Sequence, residues 1–267
     1  MLKMWDLQPA WVMVKGPAVA IWEHFFPGQE IVTDLPQIHQ ISVMVTGTSL
    51  RSDLEHQARL LAQKTGLRSV TVLDHWVNYK SRFVRNGCCV MPDEIWVVDE
   101  YAETLARKNF PGMPVIRCPD CYGKNQLGKV AELTSHTPHR LIYMLEPVHS
   151  DWGKDEPGEF QALRYFFQRF RHIGLDKITE VQLRPHPSEH SDKYNSFLNE
   201  DGRIPVRLSK GTLAEAISGA RWVAGCQTYA LTLALAAGRR VFSTLPPWAP
   251  TKGLPHKGIE YLREMGP

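Results

Sequence analysis

The segment EVQLRPHPSEH, residues 180–190, places residue types that could do chemistry on a stiff stretch of backbone. Pro185 and Pro187 fix φ on either side of His186, remove two backbone donors and favour extended residues before them. Arg184 adds a guanidinium whose N–H donors suit a phosphate group, and the imidazole can donate a hydrogen bond from Nε2. We therefore expect Arg184 and His186 to bind phosphate, although a strand-end histidine can also serve only to bond the backbone.

A second candidate for phosphate binding is the segment WVAGCQTYALTLALAAGRRVF. Gly225 permits a tight turn, and Gln227 and Thr228 then begin a predicted helix. The first N–H groups and the positive dipole end of a helix attract anions, and the Thr228 hydroxyl could add a donor. Thr228 could equally do no more than cap the helix. The chain contains neither GxGxxG nor GxxxxGKS/T, so neither a dinucleotide fingerprint nor a P-loop is predicted.

The segment VLDHWVNYKSRF suggests acid–base chemistry, because Asp74 and His75 follow a strand-like run. A carboxylate and an imidazole at a strand end could transfer protons, or Asp74 could cap the next segment and Trp76 fill the core. Glu55 lies three residues after Ser52, as in the capping box of a helix start. The same helix start would point to the edge of the sheet, so Glu55 is a third catalytic candidate.

The CPDC motif, Cys118 to Cys121, raises the question of metal or redox chemistry. A structural zinc site would need a second pair at a similar spacing, and a redox site would need the start of a βαβ unit. Cys88 and Cys89 are adjacent and make a poor second pair. We expect two incidental thiols, no metal and no cofactor, and the odd total of five cysteines argues against a disulfide framework.

The composition is that of an ordinary globular protein, since 43% of the 267 residues are hydrophobic and 22% are charged. The net charge of +3 is too small, and the basic residues are too scattered, to predict nucleic-acid binding. No apolar stretch approaches the ~18 residues needed to span a membrane. The first residues show no apolar region followed by a cleavage site, so we expect a soluble cytoplasmic protein.

Short β-branched runs alternate with helical segments twice along the chain, which predicts parallel sheets with helices on both faces. The fold class expected is α/β, with two Rossmann-like domains facing across a cleft. The first domain would be residues 1–120, a Gly-, Pro- and polar-rich linker 121–139, and the second domain 140–267. The predicted strands are 41–47, 69–75, 94–100, 114–118, 140–146, 178–185, 221–225 and 239–246, and the predicted helices are 52–66, 101–108, 159–174, 211–220 and 227–238.

In an open parallel sheet, ligands bind beyond the carboxyl ends of the strands. This rule adds Glu146, which follows a predicted strand, to the candidates. The residues expected to bind a nucleotide or its phosphate in the second domain are Glu146, Arg184, His186, Gln227 and Thr228. The catalytic candidates of the first domain are Asp74, His75 and Glu55.

The order of the segments VLDHWVNYKSRF, PDEIWVVDEYAETLARKNFPG, IYMLEP, RPHP and VAGCQTYALTLALAAGRRVFSTLPP resembles a known family. It is similar to bacterial surface-carbohydrate glycosyltransferases of the GT-B fold, in the sialyltransferase-like and Kdo-transferase-like group that uses CMP-activated sugars. The resemblance covers about residues 41–247 and implies that His186 contacts the nucleotide phosphate and that Thr228 also binds it. The acidic motif that supplies a base in many sialyltransferases is not evident, which leaves the catalytic base and the donor sugar open.

The resemblance also implies partners and a reaction. The expected reaction transfers a sugar from a nucleotide-activated donor, CMP-linked sialic acid or Kdo, onto a cell-surface glycan or glycolipid acceptor, without a metal. The first domain would bind the acceptor and the second would bind the donor. The protein would act at the inner face of the membrane. Two alternatives stay open: another GT-B enzyme, either a UDP-sugar 2-epimerase or a polyol-phosphate transferase, and a non-catalytic nucleotide-binding relative.

Overall fold

The computed structural model describes residues 11–16, 18–33, 41–50, 52–148, 150–170, 177–198 and 204–266. Residue contacts divide the chain into two compact units, Met1–Cys121 and Tyr122–Pro267. No helix in these ranges is both long enough and apolar enough to cross a lipid bilayer.

The first unit is built from strands and helices in alternation. Its strands are β1 Met44–Thr46, β2 Ser69–Leu73, β3 Val84–Arg85, β4 Cys88–Cys89, β5 Glu94–Val97 and β6 Val115–Arg117, and its helices are α1 Ala18–Phe25, α2 Leu54–Thr65 and α3 Glu100–Asn109. The sheet order is β1-β2-β5-β6 with all neighbours parallel, while β3 and β4 form a separate antiparallel hairpin. All five residues of β2 are buried, as expected of a strand covered on both faces.

The second unit contains a larger sheet of the same kind. Its strands are β7 Arg140–Met144, β8 Glu180–Arg184, β9 Val206–Leu208, β10 Trp222–Gly225, β11 Arg240–Ser243 and β12 Ile259–Tyr261, and the helices are α4 Cys121–Leu127, which begins at the unit boundary, α5 Gly158–Arg169, α6 Leu213–Ser218 and α7 Tyr229–Ala236. The sheet order is β12-β11-β10-β7-β8-β9, and every neighbouring pair is parallel. A buried cluster that includes Leu163 and Phe166 of α5, Leu183 of β8 and Phe242 of β11 forms its core.

Gly225, the last residue of β10, allows β10 to approach β7 closely. A Cβ atom at this position would lie 2.8 Å from the backbone oxygen of Met144 on β7. Such a separation is shorter than real Cβ contacts allow, so β10 and β7 can approach at this point only because residue 225 has no side chain. The strand ends of β7 and β10 are thereby held close together.

Helix ends follow the expected chemistry at some positions and not at others. Asp99 caps α3 by accepting a hydrogen bond from the Ala102 N–H at 2.7 Å. Thr212 and Glu215 form a capping box at the start of α6, which was not predicted from the sequence. The capping box predicted at Ser52 and Glu55 is wrong, because α2 begins only at Leu54 and the Ser52 N–H donates to the Ser49 hydroxyl instead.

The predicted α/β class with parallel sheets in two Rossmann-like units is confirmed. The cleft concerns the relative placement of the units and stays a prediction, as do the boundaries and the donor and acceptor roles of the domains. The segment predicted as a linker, 121–139, begins with α4, and its later part is bound to the second unit. There Arg221 donates to the carbonyl oxygens of Thr134, Ser135 and Thr137.

Candidate functional site

Three neighbouring strands of the second unit carry the residues predicted to bind a nucleotide. β7 pairs with β10 on one side and with β8 on the other, so the carboxyl ends of the three strands are adjacent. Glu146 follows β7, His186 follows β8, and Gln227 and Thr228 follow β10. Because neighbouring strands lie about 4.8 Å apart, the three loops meet at one edge of the sheet, where parallel α/β sheets bind ligands.

His186 is exposed, and its ring orientation is set by the serine two residues later. Ser188 donates its backbone N–H to His186 Nδ1 at 3.2 Å, and the Ser188 hydroxyl lies 2.7 Å from the same nitrogen. A nitrogen that accepts a backbone N–H carries no proton of its own, so the neutral ring is protonated on Nε2. That tautomer is the one able to donate to an anion from Nε2.

Arg184, which was expected to act with His186, has a firm partner elsewhere. Its Nη1 donates to the carbonyl oxygen of Gly211, two residues before α6, at 2.9 Å. Buried and half-buried residues alternate along β8. Arg184 is half-buried and lies on the other face of the sheet from the buried Leu183. Burial lowers the pKa of Arg184 and Glu215 opposes that change. In this structure Arg184 therefore stabilises the loop before α6.

Thr228 is the N-cap of α7, and its hydroxyl accepts a 3.4 Å hydrogen bond from the Ala230 N–H. The capping role considered for Thr228 is thus present, and it leaves the hydroxyl proton able to donate. Gln227 is held from two sides. Its N–H donates to Glu146 Oε1 at 3.0 Å, and its side-chain oxygen accepts from the Thr251 hydroxyl at 3.0 Å.

Glu146 is half-buried where the loops after β7, β8 and β10 meet. Desolvation raises its pKa to about 7, with further contributions in the same direction from Glu159 and Glu189, while the hydrogen bond from Gln227 opposes the rise. A carboxyl group with a pKa near neutrality can exchange a proton under physiological conditions. The sequence predicted Glu146 as a nucleotide-binding residue from its place after a strand and gave no indication of its carboxylate neighbours.

An ion-pair network that includes one of these loops was not predicted from the sequence. The Lys193 ammonium contacts both Glu159 of α5 and Glu189 of the loop after β8. Glu159 also accepts the Val148 N–H at 3.2 Å, and the Tyr194 hydroxyl donates to Glu189 at 2.8 Å. The network ties the loop that carries His186 to the loop that follows Glu146. Its one local signal was the i,i+4 spacing of Glu189 and Lys193.

Asp74 and His75 follow β2 in the first unit, as predicted. The Asp74 side chain is exposed, yet desolvation by the surrounding protein atoms raises its pKa, with a further contribution from Asp120 and with Arg82 opposing the rise. The Trp76 N–H donates to His75 Nδ1 at 2.9 Å, so the neutral ring is protonated on Nε2. Both groups are thus in states that could accept or donate protons.

Glu55 lies in the first turn of α2 and caps nothing. Its Oε2 atom is buried and has no hydrogen-bond partner among the described residues. The same is true of the Thr48 hydroxyl oxygen. Oε1 would lie 3.6 Å from a Cβ atom at Gly47, so the carboxyl group faces the loop after β1. Arg59 donates to the carbonyl oxygen of Gly47 at 3.3 Å, and Arg82 donates to that of Thr48 at 2.9 Å. The Glu55 carboxyl group therefore stays a candidate for taking up a proton, with its charge close to that of Arg59.

The cysteines form no disulfide in the part of the chain that the structure describes. Burial raises the pKa of Cys118, with Glu94 and Cys121 adding to the effect, which disfavours the reactive thiolate. Within the same ranges, no group of three or more His, Cys, Asp or Glu side chains is arranged to hold a metal ion.

A scan against protein-family models and a search of curated proteins give no match. Solved structures are similar in fold. A protein assigned as a UDP-N-acetylglucosamine 2-epimerase from Listeria monocytogenes has a TM-score of 0.58 at 13% identity, over 90% of this chain and 72% of that chain. The S. aureus MnaA–UDP complex has a TM-score of 0.49 at 11% identity, over 91% and 67%, and TarM has 0.45 at 10%, over 75% and 40%. The first comparison supports the GT-B-like architecture predicted from the sequence.

Proposed function

We propose that this chain is an enzyme that acts on nucleotide-activated sugars and transfers the sugar to a glycan or glycolipid acceptor. The observation that carries the proposal is the meeting of three strand ends in the second unit. They bring an exposed imidazole, a carboxyl group with a near-neutral pKa and the start of α7 to one edge of the sheet. This is the edge at which a parallel α/β sheet binds nucleotides.

Glycosyl transfer requires stabilisation of the negative charge that develops on the departing phosphate. In glycosyl transfer, the acceptor O–H bond breaks, a bond forms from that oxygen to the anomeric carbon, and the bond from that carbon to the phosphate oxygen breaks. His186 would donate from Nε2 to the phosphate, and the start of α7 with the Thr228 hydroxyl would stabilise the same charge. Asp74, His75 and Glu55 remain the candidates for the group that takes the acceptor proton.

The nucleotide and the sugar of the donor have two candidate identities. The sequence resemblance predicts a CMP-linked donor of the sialic acid or Kdo type. The name of the Listeria monocytogenes structure points instead to UDP-N-acetylglucosamine as the kind of substrate. CMP, CDP, UMP, UDP and GDP are therefore the compounds to compare, and the base that stabilises the protein identifies the donor class.

A second candidate function is epimerisation of a UDP-sugar at C2. It is favoured by the same comparison, at a TM-score of 0.58. Epimerisation requires removal and return of the C2 proton and releases no sugar to an acceptor. Incubation with UDP-N-acetylglucosamine in deuterated water, followed by proton NMR, separates the two. Loss of the C2 proton signal without an acceptor indicates epimerisation, and product formation only with an acceptor indicates transfer.

The role of His186 can be tested by substitution. We expect His186→Ala to weaken binding of the stabilising nucleotide by roughly ten- to a hundredfold, because a hydrogen bond to a charged group contributes about 1.5–3 kcal/mol. Calorimetric titration measures this change. His136→Ala is the matched control, since His136 is an exposed histidine of the same unit, outside these loops. Equal affinity in the folded His186→Ala protein and the parent would remove His186 from the site.

A further inference from the structure

The Glu146 carboxylate accepts a hydrogen bond from a backbone N–H just before the predicted anion site. The N–H of Gln227, immediately before the N-cap of α7, donates to Glu146 Oε1 at 3.0 Å. Glu146 therefore places its charge where the proposed function requires a phosphate to bind. Two negative groups at the same helix start repel each other.

The groups around Glu146 add to this repulsion. Glu159 approaches from α5 and Glu189 from the loop after β8, and both raise the pKa of Glu146. Lys193 contacts these two glutamates and thereby brings one positive charge to three carboxyl groups. Cys226 and Tyr143 also lie within electrostatic range of Glu146, and burial raises the pKa of each, so both stay neutral near pH 7. The local balance thus favours a neutral Glu146.

We propose that Glu146 takes up a proton from solvent when a phosphate group binds at the start of α7, so that protonation of Glu146 and binding of the nucleotide are coupled. The inference rests on the proposed function. The step is a protonation of a carboxylate to a carboxylic acid, with the proton supplied by the buffer and with no change of oxidation state. The protonated carboxyl group gains an O–H donor, which can turn toward a phosphate oxygen.

The coupling follows from charge and from the position of the group. Because the pKa of Glu146 is about 7 before any ligand binds, protonating it near neutrality costs little free energy. A bound phosphate adds negative charge beside it and raises that pKa further. By linkage, affinity for the phosphate then falls as pH rises above 7, by up to about tenfold per pH unit when one full proton is taken up.

The test is calorimetric titration of the full chain with UDP and with CMP at pH 8.0, in buffers that differ in ionisation enthalpy. The dependence of the measured heat on buffer ionisation enthalpy gives the number of protons taken up. At this pH about nine-tenths of Glu146 is ionised before binding, as follows from a pKa of about 7. We expect uptake of up to about nine-tenths of a proton for the parent and none attributable to this site for Glu146→Gln. The glutamine variant keeps an oxygen that can accept the Gln227 N–H.

Glu180→Gln is the matched control. Glu180 lies at the amino end of β8 and pairs with Arg140 at 2.7 Å, and its pKa is lowered, so it stays ionised throughout this pH range. We expect this variant to take up as many protons as the parent. We also expect Glu146→Gln to bind the nucleotide more tightly than the parent at pH 8.5 and with no further loss as pH rises.

The outcomes separate the inference from the proposed function. Nucleotide binding with equal proton uptake in the parent and in Glu146→Gln overturns the inference and leaves the proposed function standing. Failure of the folded parent to bind any of the nucleotides, or inorganic pyrophosphate, overturns both. Proton uptake that is present in the parent and in Glu180→Gln but lost in Glu146→Gln supports the inference.

Discussion

At the residue scale, the candidate site of the second unit depends on partners that lie far apart in the sequence. Gln227 donates to Glu146 across 81 positions, and Arg184 donates to Gly211 across 27. The first bond holds the start of α7 against Glu146, and the second holds the loop before α6 against the end of β8. Binding of phosphate by Arg184 and His186 stays a prediction.

The raised pKa of Glu146 has a consequence for stability. A carboxyl group whose pKa is higher in the folded state than in the unfolded chain stabilises the fold below its unfolded value of 4.5. That stabilisation is lost as pH rises through about 7. We expect the free energy of unfolding of the parent to fall relative to that of Glu146→Gln by about 2–3 kcal/mol between pH 5 and pH 8. Urea denaturation of both proteins at several pH values measures this difference.

Glu180→Gln again supplies the control for this pH dependence. The pKa of Glu180 is lowered in the folded protein, so the stabilisation it provides is complete above its unfolded pKa. Its stability difference from the parent should therefore stay constant between pH 5 and pH 8. Parallel curves for the parent and Glu146→Gln over the same range would show that Glu146 titrates at an ordinary pKa.

At the scale of elements, two contacts hold the loops of the candidate site. The close approach of β7 and β10 depends on Gly225, and the network around Lys193 joins α5 to the loop after β8. The first is a steric requirement and the second is electrostatic. Gly225 ends the strand that leads to Gln227 and Thr228, and Lys193 contacts Glu189 in the loop that carries His186.

We expect Gly225→Ala to destabilise the protein by about 1–3 kcal/mol, because the new Cβ atom would lie 2.8 Å from the backbone oxygen of Met144. The strands must separate or bend to accommodate it. Gly128→Ala is a matched control, since a Cβ atom there meets ordinary contacts at 3.5 Å and beyond. Urea denaturation followed by circular dichroism measures both changes, and equal stability of the two variants would contradict the steric argument.

At the scale of the whole molecule, each of the two units has its own parallel sheet, and a large core cluster lies entirely within the second. The cluster joins buried residues of α5 and of β7, β8, β10 and β11. A unit that buries a core of this kind meets the physical requirement for folding by itself. The predicted nucleotide-binding residues also lie in this unit.

We therefore expect a fragment of residues 122–267 to fold alone and to show a single cooperative thermal transition. If the proposed function is correct, the fragment should also be stabilised by the nucleotide that stabilises the full chain. Circular dichroism and differential scanning calorimetry test the first point, and a thermal-shift assay tests the second. A fragment without a cooperative transition would show that the core of this unit is insufficient.

The sequence by itself determined the class of the fold. Apolar periodicity and turn residues are local properties, so the strands around Ser69–Leu73, Arg140–Met144 and Trp222–Gly225 and the helices between them could be predicted within a few residues. The short strands β9 and β12 and the hairpin of β3 and β4 were missed, whereas β1 and β6, which also have three residues, lie within longer predicted strands. The rigid backbone around His186 and the capping position of Thr228 could also be predicted from the sequence, because each depends on neighbouring residues in the chain.

Only the tertiary structure decided how the candidate residues are grouped. The order β10-β7-β8 places Glu146 between the loops of Thr228 and His186, and strand order depends on pairing between distant segments. Burial among Glu159 and Glu189 then raises the pKa of Glu146, an effect that no local pattern contains. The same holds for Glu55. The N-cap of α2 is Asp53 and not Ser52, so the predicted capping bond is absent, and the Oε2 atom of Glu55 has no hydrogen-bond partner among the described residues.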